Sequence, residues 1–149
     1  MKPSDNLYVE NVALVDVEKE LSSLLSYVHL QRQRLDDDYT ISCWGLADVK
    51  GFAISPFLLM PLVENCFQHV SSDPGRGNFI CLECRAMGHS FFFRTGNTCI
   101  ATAADRPDEK VGHGLEKVKK RLDLLYPGRH ELFMKQRPGF YQTTLTLEY

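Results

Sequence analysis

The chain has 149 residues, of which 44% are hydrophobic and 24% charged, a balance typical of one soluble globular domain. Its formal net charge of −2 gives no electrostatic reason to expect a nucleic acid or an acidic membrane surface as a partner. The five cysteines lack the dense spacing of a small secreted scaffold, which favours a reducing cytoplasm.

The first half of the chain predicts a helix, a strand and a second helix. Residues 1–15 are mostly polar at their start and predict a lead-in. Over residues 16–36 apolar side chains recur at three- and four-residue steps, which predicts a helix, and residues 39–44 alternate as a strand. A serine followed by a proline then predicts the start of a helix over residues 55–70.

The second half predicts two antiparallel strand pairs with a helix between them. The strands are expected over residues 78–86, 89–95, 131–136 and 140–148. A polar stretch over residues 98–111 has no clear period, and a helix is expected over residues 113–126. Helices interleaved with strand pairs predict an α+β two-layer sandwich, with the helices packed on one face of a mixed sheet.

The predicted second helix carries polar side chains in an otherwise apolar segment. Asn65, Gln68 and His69 stand at positions i, i+3 and i+4 and share one helix face, with Glu64 beside them. Burying such groups costs about 1–3 kcal/mol each unless they find partners. They therefore form either a satisfied buried network or a polar ligand site, and the helix alone favours neither.

Two further motifs suit a nucleotide but also suit a plain turn. Gly112, His113, Gly114 and Leu115 join the polar stretch to the third helix, where glycines admit a close ligand and a helix N-terminus favours phosphate. Asn97, at the end of a strand, has an amide that can bond the edge of a heterocycle or hold a turn. Taken singly, each motif is more often a turn.

Two of the cysteines form a CxxC pair, a spacing that some metal sites use. Cys81 and Cys84 lie in a predicted strand, where a separation of three residues places side chains on opposite faces. No second pair follows at the spacing of a zinc finger. We therefore expect ordinary semi-buried thiols rather than a metal site.

Together these motifs resemble the catalytic domain of the LytS-type bacterial sensor histidine kinases. Residues 62–69, LVENCFQH, resemble the N box of that family, PLVENAxKHG. Residues 112–126 resemble its glycine-rich G2 box and following helix, GxGLxNxxxRLxxxYG, and residues 18–35 resemble its segment EExxxxxxYLxLQxxRF. The resemblance covers residues 12–149 and implies the Bergerat ATP-binding fold of the GHKL superfamily, an α/β sandwich.

The resemblance implies roles for the residues of the N box and of the strand end. Asn65 would ligate Mg²⁺ through its amide oxygen, and Glu64 would steady the water shell of the metal, which makes these two the expected catalytic residues. Gln68 and His69 would lie against the nucleotide. Asn97 would accept the amino hydrogen of adenine.

The G2 box would hold the phosphates. By the resemblance, Gly112, His113, Gly114 and Leu115 belong to the cofactor-binding set, and residues 98–111 would form a mobile lid over ATP. The implied cofactors are ATP and Mg²⁺. The implied reaction transfers the γ-phosphoryl group to a histidine, with positioning and charge neutralisation providing most of the catalysis.

Three positions depart from the family's pattern. Gln68 stands where a lysine usually meets phosphate, Val70 replaces a glycine, and Asn97 replaces the aspartate of the wider superfamily. The alternative is therefore a degenerate nucleotide-sensing or structural module without kinase activity. A third hypothesis, a superfamily ATPase or anti-sigma-factor kinase, fits residues 18–35 and the end of the third helix less well.

The family's phosphoacceptor histidine lies in a motif that does not occur in this sequence. We therefore expect residues 16–149 to form a catalytic domain that binds ATP without phosphorylating itself, with residues 1–15 as a linker from the phosphoacceptor region. The implied partners are the phosphoacceptor and dimerisation domain of the same parent protein and a response regulator, often of LytTR type. The parent is expected in the inner membrane. The chain itself has no signal peptide and no apolar run near the roughly 20 residues of a membrane span, and is expected to be soluble and cytoplasmic.

Overall fold

The computed structural model describes residues 13–71, 77–99 and 107–149, and for residues 107–114 it describes the backbone alone. In chain order the elements of these ranges are β1 (Val15–Asp16), α1 (Val17–Arg34), β2 (Tyr39–Trp44), β3 (Ala53–Ile54), α2 (Met60–His69), β4 (Asn78–Met87), β5 (Ser90–Thr98), α3 (Pro107–Leu125), β6 (His130–Arg137) and β7 (Phe140–Glu148). None of the helices in the described ranges is long and apolar enough to cross a membrane.

Five strands form one mixed sheet in the order β2-β4-β5-β7-β6. β2 and β4 run parallel, and every other neighbouring pair runs antiparallel. β1 and β3, which the sequence did not predict, form a separate two-stranded antiparallel sheet. The predicted α+β class with a mixed sheet is confirmed.

The hydrophobic core lies between the helices and one face of the large sheet. Alternate residues of β4, β5 and β7 are buried, because successive side chains of a strand point to opposite faces. The core residues without exposed surface include Val17, Leu21, Leu24, Leu62, Val63, Ile80, Leu82, Phe91, Phe93, Leu115, Leu122, Leu145 and Leu147. Hence one face of the sheet is covered, and the other carries exposed side chains such as Trp44 and Phe133.

The second helix begins later than predicted. The serine-proline pair predicted a start at residue 55, but α2 begins at Met60. Phe57 has a φ of 66°, a left-handed conformation that a helix cannot contain. Pro61 lies in the first turn of α2, where the missing N–H of a proline breaks no helical hydrogen bond. The prediction took the first of two prolines as the helix start, and the second one fills that role.

The third helix begins earlier than predicted. α3 starts at Pro107 rather than at His113, and an acidic pair follows the proline, which together match the preferences of a helix N-terminus. Gly112 and Gly114 therefore lie inside the helix, and the predicted loop-to-helix junction at the glycines is wrong. Residues 100–106 of the predicted lid lie outside the described residues.

The two cysteines of the CxxC pair point to opposite faces of the sheet. Cys84 is buried on the helix-covered face of β4, and Cys81 is half-buried on the other face, as the spacing predicts. All five cysteines are free thiols. Among the described residues, no group of three or more His, Cys, Asp or Glu side chains is placed to hold a metal ion.

Candidate functional site

Asn65 on α2 and Asn97 on β5 are the predicted site residues that lie buried between the helices and the sheet. Asn65 is 4% exposed, and Asn97 has no exposed surface. Their elements are in direct contact, because the thiol of Cys66 donates a hydrogen bond to the carbonyl oxygen of Gly96 (3.4 Å). Since these two residues are the chain neighbours of the asparagines, the contact brings both amides to one region of the interior.

Tyr141 on β7 belongs to the same region, and the sequence did not identify it. It lies directly opposite Asn97 in the register of β5 and β7, and its hydroxyl lies beside the Asn65 amide. Burial raises the pKa of Tyr141 and the amide partly opposes this shift, so the hydroxyl is protonated at neutral pH. The alternation of β7 indicates that Tyr141 points inward, but nothing in the sequence indicates that it meets polar groups there.

These three side chains form a polar cluster with unsatisfied hydrogen-bonding capacity. Asn65 Nδ2, Asn97 Oδ1 and Tyr141 Oη are all buried, and none makes a well-aligned hydrogen bond within the described part of the chain, although the Asn65 amide lies close enough to the Tyr141 hydroxyl to lower its pKa. A buried donor or acceptor left unpaired costs about 1–3 kcal/mol, and native structures contain few of them. Such atoms in one place suit a site that a polar ligand or bound water completes.

The Asn97 amide has a fixed orientation. Its Nδ2 donates a hydrogen bond to the carbonyl oxygen of Thr98 (3.0 Å), and a carbonyl can only accept, so the other amide atom is the oxygen. Thr98 is itself held in place, since its carbonyl accepts from the Ser71 N–H (2.8 Å) and its hydroxyl donates to Asn78 Oδ1 (3.3 Å). The polar cluster therefore presents a pre-oriented acceptor to any ligand N–H group.

The other predicted residues of α2 have different surroundings. Glu64 and Gln68 are exposed. Glu64 lies on the side of α1, where its charge adds to the effect of burial and raises the pKa of Tyr27. His69, at the end of the helix, is half-buried and interacts with other parts of the protein. Of the N-box residues predicted for the site, the described contacts thus place Asn65 in the polar cluster.

The predicted site residues of α3 differ in their surroundings. The backbones of Gly112 and Gly114 lie in the N-terminal half of the helix, and the side chain of His113 lies outside the described residues. Leu115 is fully buried in the hydrophobic core. Leu115 therefore contributes packing in this structure, and the phosphate contacts assigned to the glycines stay a prediction.

A cavity of about 360 Å³ lies on the opposite face of the sheet. It is lined by Trp44, Cys81, Glu83, Arg94, Gly96, Phe140 and Gln142. Its charged groups bond each other, with Arg94 Nη1 3.3 Å from Glu83 Oε1, and Arg94 also lies 5.0 Å from the centre of the Phe92 ring. Because the sheet separates this cavity from the polar cluster and its charges are paired, we do not assign a nucleotide to it.

The fold matches solved structures of histidine kinases. The histidine kinase domain from the Erythrobacter litoralis EL346 blue-light activated histidine kinase gives a TM-score of 0.62 at 14% identity over 89% of this chain, which spans 65% of that domain's length. The Acinetobacter baumannii histidine kinase AdeS gives a TM-score of 0.61 at 11% identity, and the match covers 97% of this chain and 75% of the AdeS chain. The catalytic domain of histidine kinase ThkA gives a TM-score of 0.59 at 7% identity, and the match covers 91% of this chain and 95% of the ThkA chain.

These likenesses concern the fold. No protein family and no curated protein matches the sequence. The three identities lie between 7% and 14%, and a shared fold by itself leaves the function open. The chain therefore has the fold of histidine kinase catalytic domains, and its chemistry has to be argued from its own residues.

Proposed function

We propose that this chain is the ATP-binding catalytic domain of a sensor histidine kinase of the LytS type. It transfers the γ-phosphoryl group of ATP to a histidine on an upstream domain of the same parent protein. The observation that carries the proposal is the polar cluster, in which three buried polar atoms between α2 and the sheet make no well-aligned hydrogen bond to the described residues. It supports a nucleotide because the surrounding fold is that of histidine kinase catalytic domains.

The orientation of Asn97 supports adenine as the base. Its Oδ1 has no partner among the residues that the structure describes and can accept a hydrogen bond, which the exocyclic amino group of adenine would donate. Guanine carries a keto oxygen at the corresponding ring position, and two acceptors that face each other repel. We therefore expect ATP to bind in preference to GTP.

The donor set fits magnesium better than a transition metal. Mg²⁺ usually keeps several waters and is bound by one or two protein oxygens together with substrate phosphates, so it needs no dedicated cage of acids. Asn65 would supply an amide oxygen, which requires its amide to turn Oδ1 toward the ion where Nδ2 is the unpaired atom here, and the exposed Glu64, the preceding residue, would supply a carboxylate for the water shell. When bound, the ion neutralises charge on the transferred phosphoryl group. The residues of this chain bind and orient the nucleotide.

The position proposed for the phosphates requires a change at the start of α3. N–H groups inside a helix are already bonded to carbonyl oxygens, so a phosphate at Gly112 and Gly114 requires α3 to begin later with nucleotide bound than it does here. This change of helix start is part of the proposal.

The proposal implies a larger parent protein. Residues 16–149 would be its catalytic domain and residues 1–15 the linker from the phosphoacceptor and dimerisation domain. A response regulator, of LytTR type by the resemblance, would receive the phosphoryl group. The parent would be an inner-membrane sensor with this domain on the cytoplasmic side.

Calorimetric titration with a non-hydrolysable ATP analogue, with and without Mg²⁺, tests the proposal. We expect binding that strengthens with Mg²⁺ and that is lost in Asn65→Ala. Gln142→Ala removes an amide from the opposite face of the same sheet and should bind as the wild type does. Equal binding by Asn65→Ala and the wild type would remove the N box from the site.

Two further outcomes separate the kinase from the degenerate module. No binding by the wild type at millimolar nucleotide would favour a structural module. Binding without phosphoryl transfer to the parent's phosphoacceptor domain, added in trans, would favour a nucleotide sensor. The exposed Gln68, in place of the family's lysine, is the feature that keeps this alternative open.

A further inference from the structure

The C-terminal half of α3 is bonded to the segment that leads into α2. Arg121 Nη2 donates hydrogen bonds to Ser55 Oγ (3.1 Å) and to the carbonyl oxygen of Pro56 (3.0 Å). Tyr126 Oη, just after α3, accepts from the Ser55 N–H (3.2 Å). Three hydrogen bonds from one stretch of chain thus hold two consecutive residues at the approach to the N-box helix.

Arg121 makes these bonds at a cost. Ser55 is fully buried, and Arg121 Nε is buried without a partner among the described residues. The ion pairs formed within the described ranges do not include Arg121. Arg121 is half-buried, so part of its guanidinium stays in contact with water while Nη2 bonds Ser55 and Pro56.

The bonded segment leads directly into α2. Pro56 is followed by Phe57, whose φ of 66° is left-handed, then by two fully buried leucines, and the helix starts at Met60. Such a conformation costs a non-glycine residue about 1–3 kcal/mol and persists only where the surroundings hold it. The carbonyl that Arg121 binds belongs to the peptide group immediately before Phe57.

We propose that Arg121 is a positioning residue of the nucleotide site. Through Ser55 and Pro56 it fixes the start of α2, and therefore the place of Asn65 in the polar cluster. Arg121 lies on the same helix as Gly112 and Gly114, about 10–14 Å further along at 1.5 Å per residue. It thereby sets the spacing between the helix of the predicted metal ligand and the helix of the predicted phosphate contacts. The identity of the ligand rests on the function proposed above. The bonds from Arg121 to Ser55 and Pro56 do not depend on that function.

Arginine variants and their matched control give the first test. In Arg121→Lys and Arg121→Met we expect the Mg²⁺-ATP analogue to bind about tenfold to a hundredfold more weakly, the range found when supports of a ligand site are removed. Arg129→Lys makes the same chemical change at an exposed position and should bind as the wild type does. Adding Ser55→Ala to Arg121→Met should weaken binding no further, because Arg121→Met alone already removes the hydrogen bond to the Ser55 hydroxyl.

Hydrogen exchange without nucleotide gives a second test that does not depend on the ligand. In Arg121→Met we expect faster exchange of the amides of residues 58–69 and unchanged exchange in β4 and β5. Exchange and affinity equal to those of Arg129→Lys would overturn the proposal, and so would an equal rise of exchange across the whole sheet. If the wild type binds no nucleotide, the proposed function fails and the exchange pattern still decides whether Arg121 positions α2. If Arg121→Met does not fold, Arg121→Lys and Ser55→Ala carry both measurements.

Discussion

At the scale of single residues, the buried polar groups of β5 and β7 fall into two kinds. Thr95 and Thr143 lie opposite each other on the helix-covered face, and their hydroxyls bond each other. Two positions along the same strands, Asn97 and Tyr141 also lie opposite each other, yet each keeps an unpartnered atom among the described residues. Because the threonines are satisfied in the same layer, the unpaired atoms do not reflect loose packing and are a local property of the polar cluster.

Two substitutions at Asn97 separate its role as an acceptor from its role in packing. Asn97→Ala should weaken binding of an ATP analogue about tenfold, since one neutral hydrogen bond contributes about 1–1.5 kcal/mol, and should change GTP binding little. Asn97→Asp keeps an acceptor for the base but places a carboxylate in a fully buried position, so it should lower the free energy of unfolding of the ligand-free protein. Calorimetry with both nucleotides and urea unfolding measure these effects. Unchanged ATP binding by Asn97→Ala would place the base elsewhere.

At the scale of elements, strands were predicted better than helix ends. β2 and β7 have the predicted bounds, because a period of two and glycine-containing turns are local signals. The start of α2 was wrong, because Phe57 takes its left-handed conformation in a segment held by Arg121, 65 residues beyond Pro56 in the chain. A contact of that separation leaves no periodic trace in the sequence.

The same limit applies to the candidate site. Asn65 and Asn97 were identified because they lie in motifs that resemble a known family. Arg121 also lies in such a motif, but the motif gave it no role, and Tyr141 lies in none, since an inward tyrosine on a strand is ordinary until the fold shows what it touches. Motifs thus predict the residues that would meet the ligand, and only the structure identifies those that hold them in place.

The end of β2 depends on one glycine. Gly45 has a φ of +77°, and a Cβ atom there would lie 2.1 Å from the backbone oxygen of Cys84 on the neighbouring strand. Gly45→Ala should therefore lower the free energy of unfolding by about 3 kcal/mol or more, since backbone strain and a clash with a fixed atom add together. Gly51→Ala, at a φ of +85° with nothing within 4 Å, is the matched control and should cost only about 1 kcal/mol. Urea unfolding decides, and equal losses would contradict the clash.

A substitution on the exposed face of α2 should strengthen ATP binding. Gln68 is exposed, three residues after Asn65 and nearly one turn further along the helix. Gln68→Lys adds a positive charge where the resembled family has one, so we expect ATP to bind about threefold to tenfold more tightly and adenosine to bind unchanged, in line with the 0.5–1.5 kcal/mol of a partly screened charge contact. Calorimetry with both ligands at low and high salt measures this. Tighter adenosine binding, or a gain that salt does not reduce, would contradict a phosphate near Gln68.

At the scale of the whole molecule, the layer between helices and sheet holds acidic groups that stay neutral in the folded state. Burial raises the pKa of Cys84 to about 12, and it raises the pKa of Cys66 and of Tyr141 well above their ordinary values. In the unfolded chain the same groups lose their protons near pH 9 for the thiols and near pH 10 for the phenol. Folded and unfolded states therefore bind equal numbers of these protons at neutral pH and different numbers in alkali.

This difference predicts a loss of stability in mild alkali. Above about pH 9 the unfolded state releases protons that the folded state retains, so the free energy of unfolding should fall steadily as the pH rises from 9 towards the raised pKa values of the folded state. The contribution of these groups is fully present below pH 9. Urea unfolding at constant ionic strength between pH 7.5 and pH 10.5, followed by circular dichroism, measures the slope.

A double variant assigns part of that slope to the buried thiols. Cys66→Ala with Cys84→Ala removes two of the titrating groups, so its free energy of unfolding should fall less steeply with pH than that of the wild type, even though the lost packing lowers its value at neutral pH. The family resembled by the N box has alanine at the first of these positions, and both changes leave a small apolar side chain. An identical slope in the double variant would mean that the thiols ionise equally easily in the folded and unfolded states. The layer around the polar cluster would then be open to water, and the unpaired atoms of Asn65, Asn97 and Tyr141 would bond solvent rather than await a ligand.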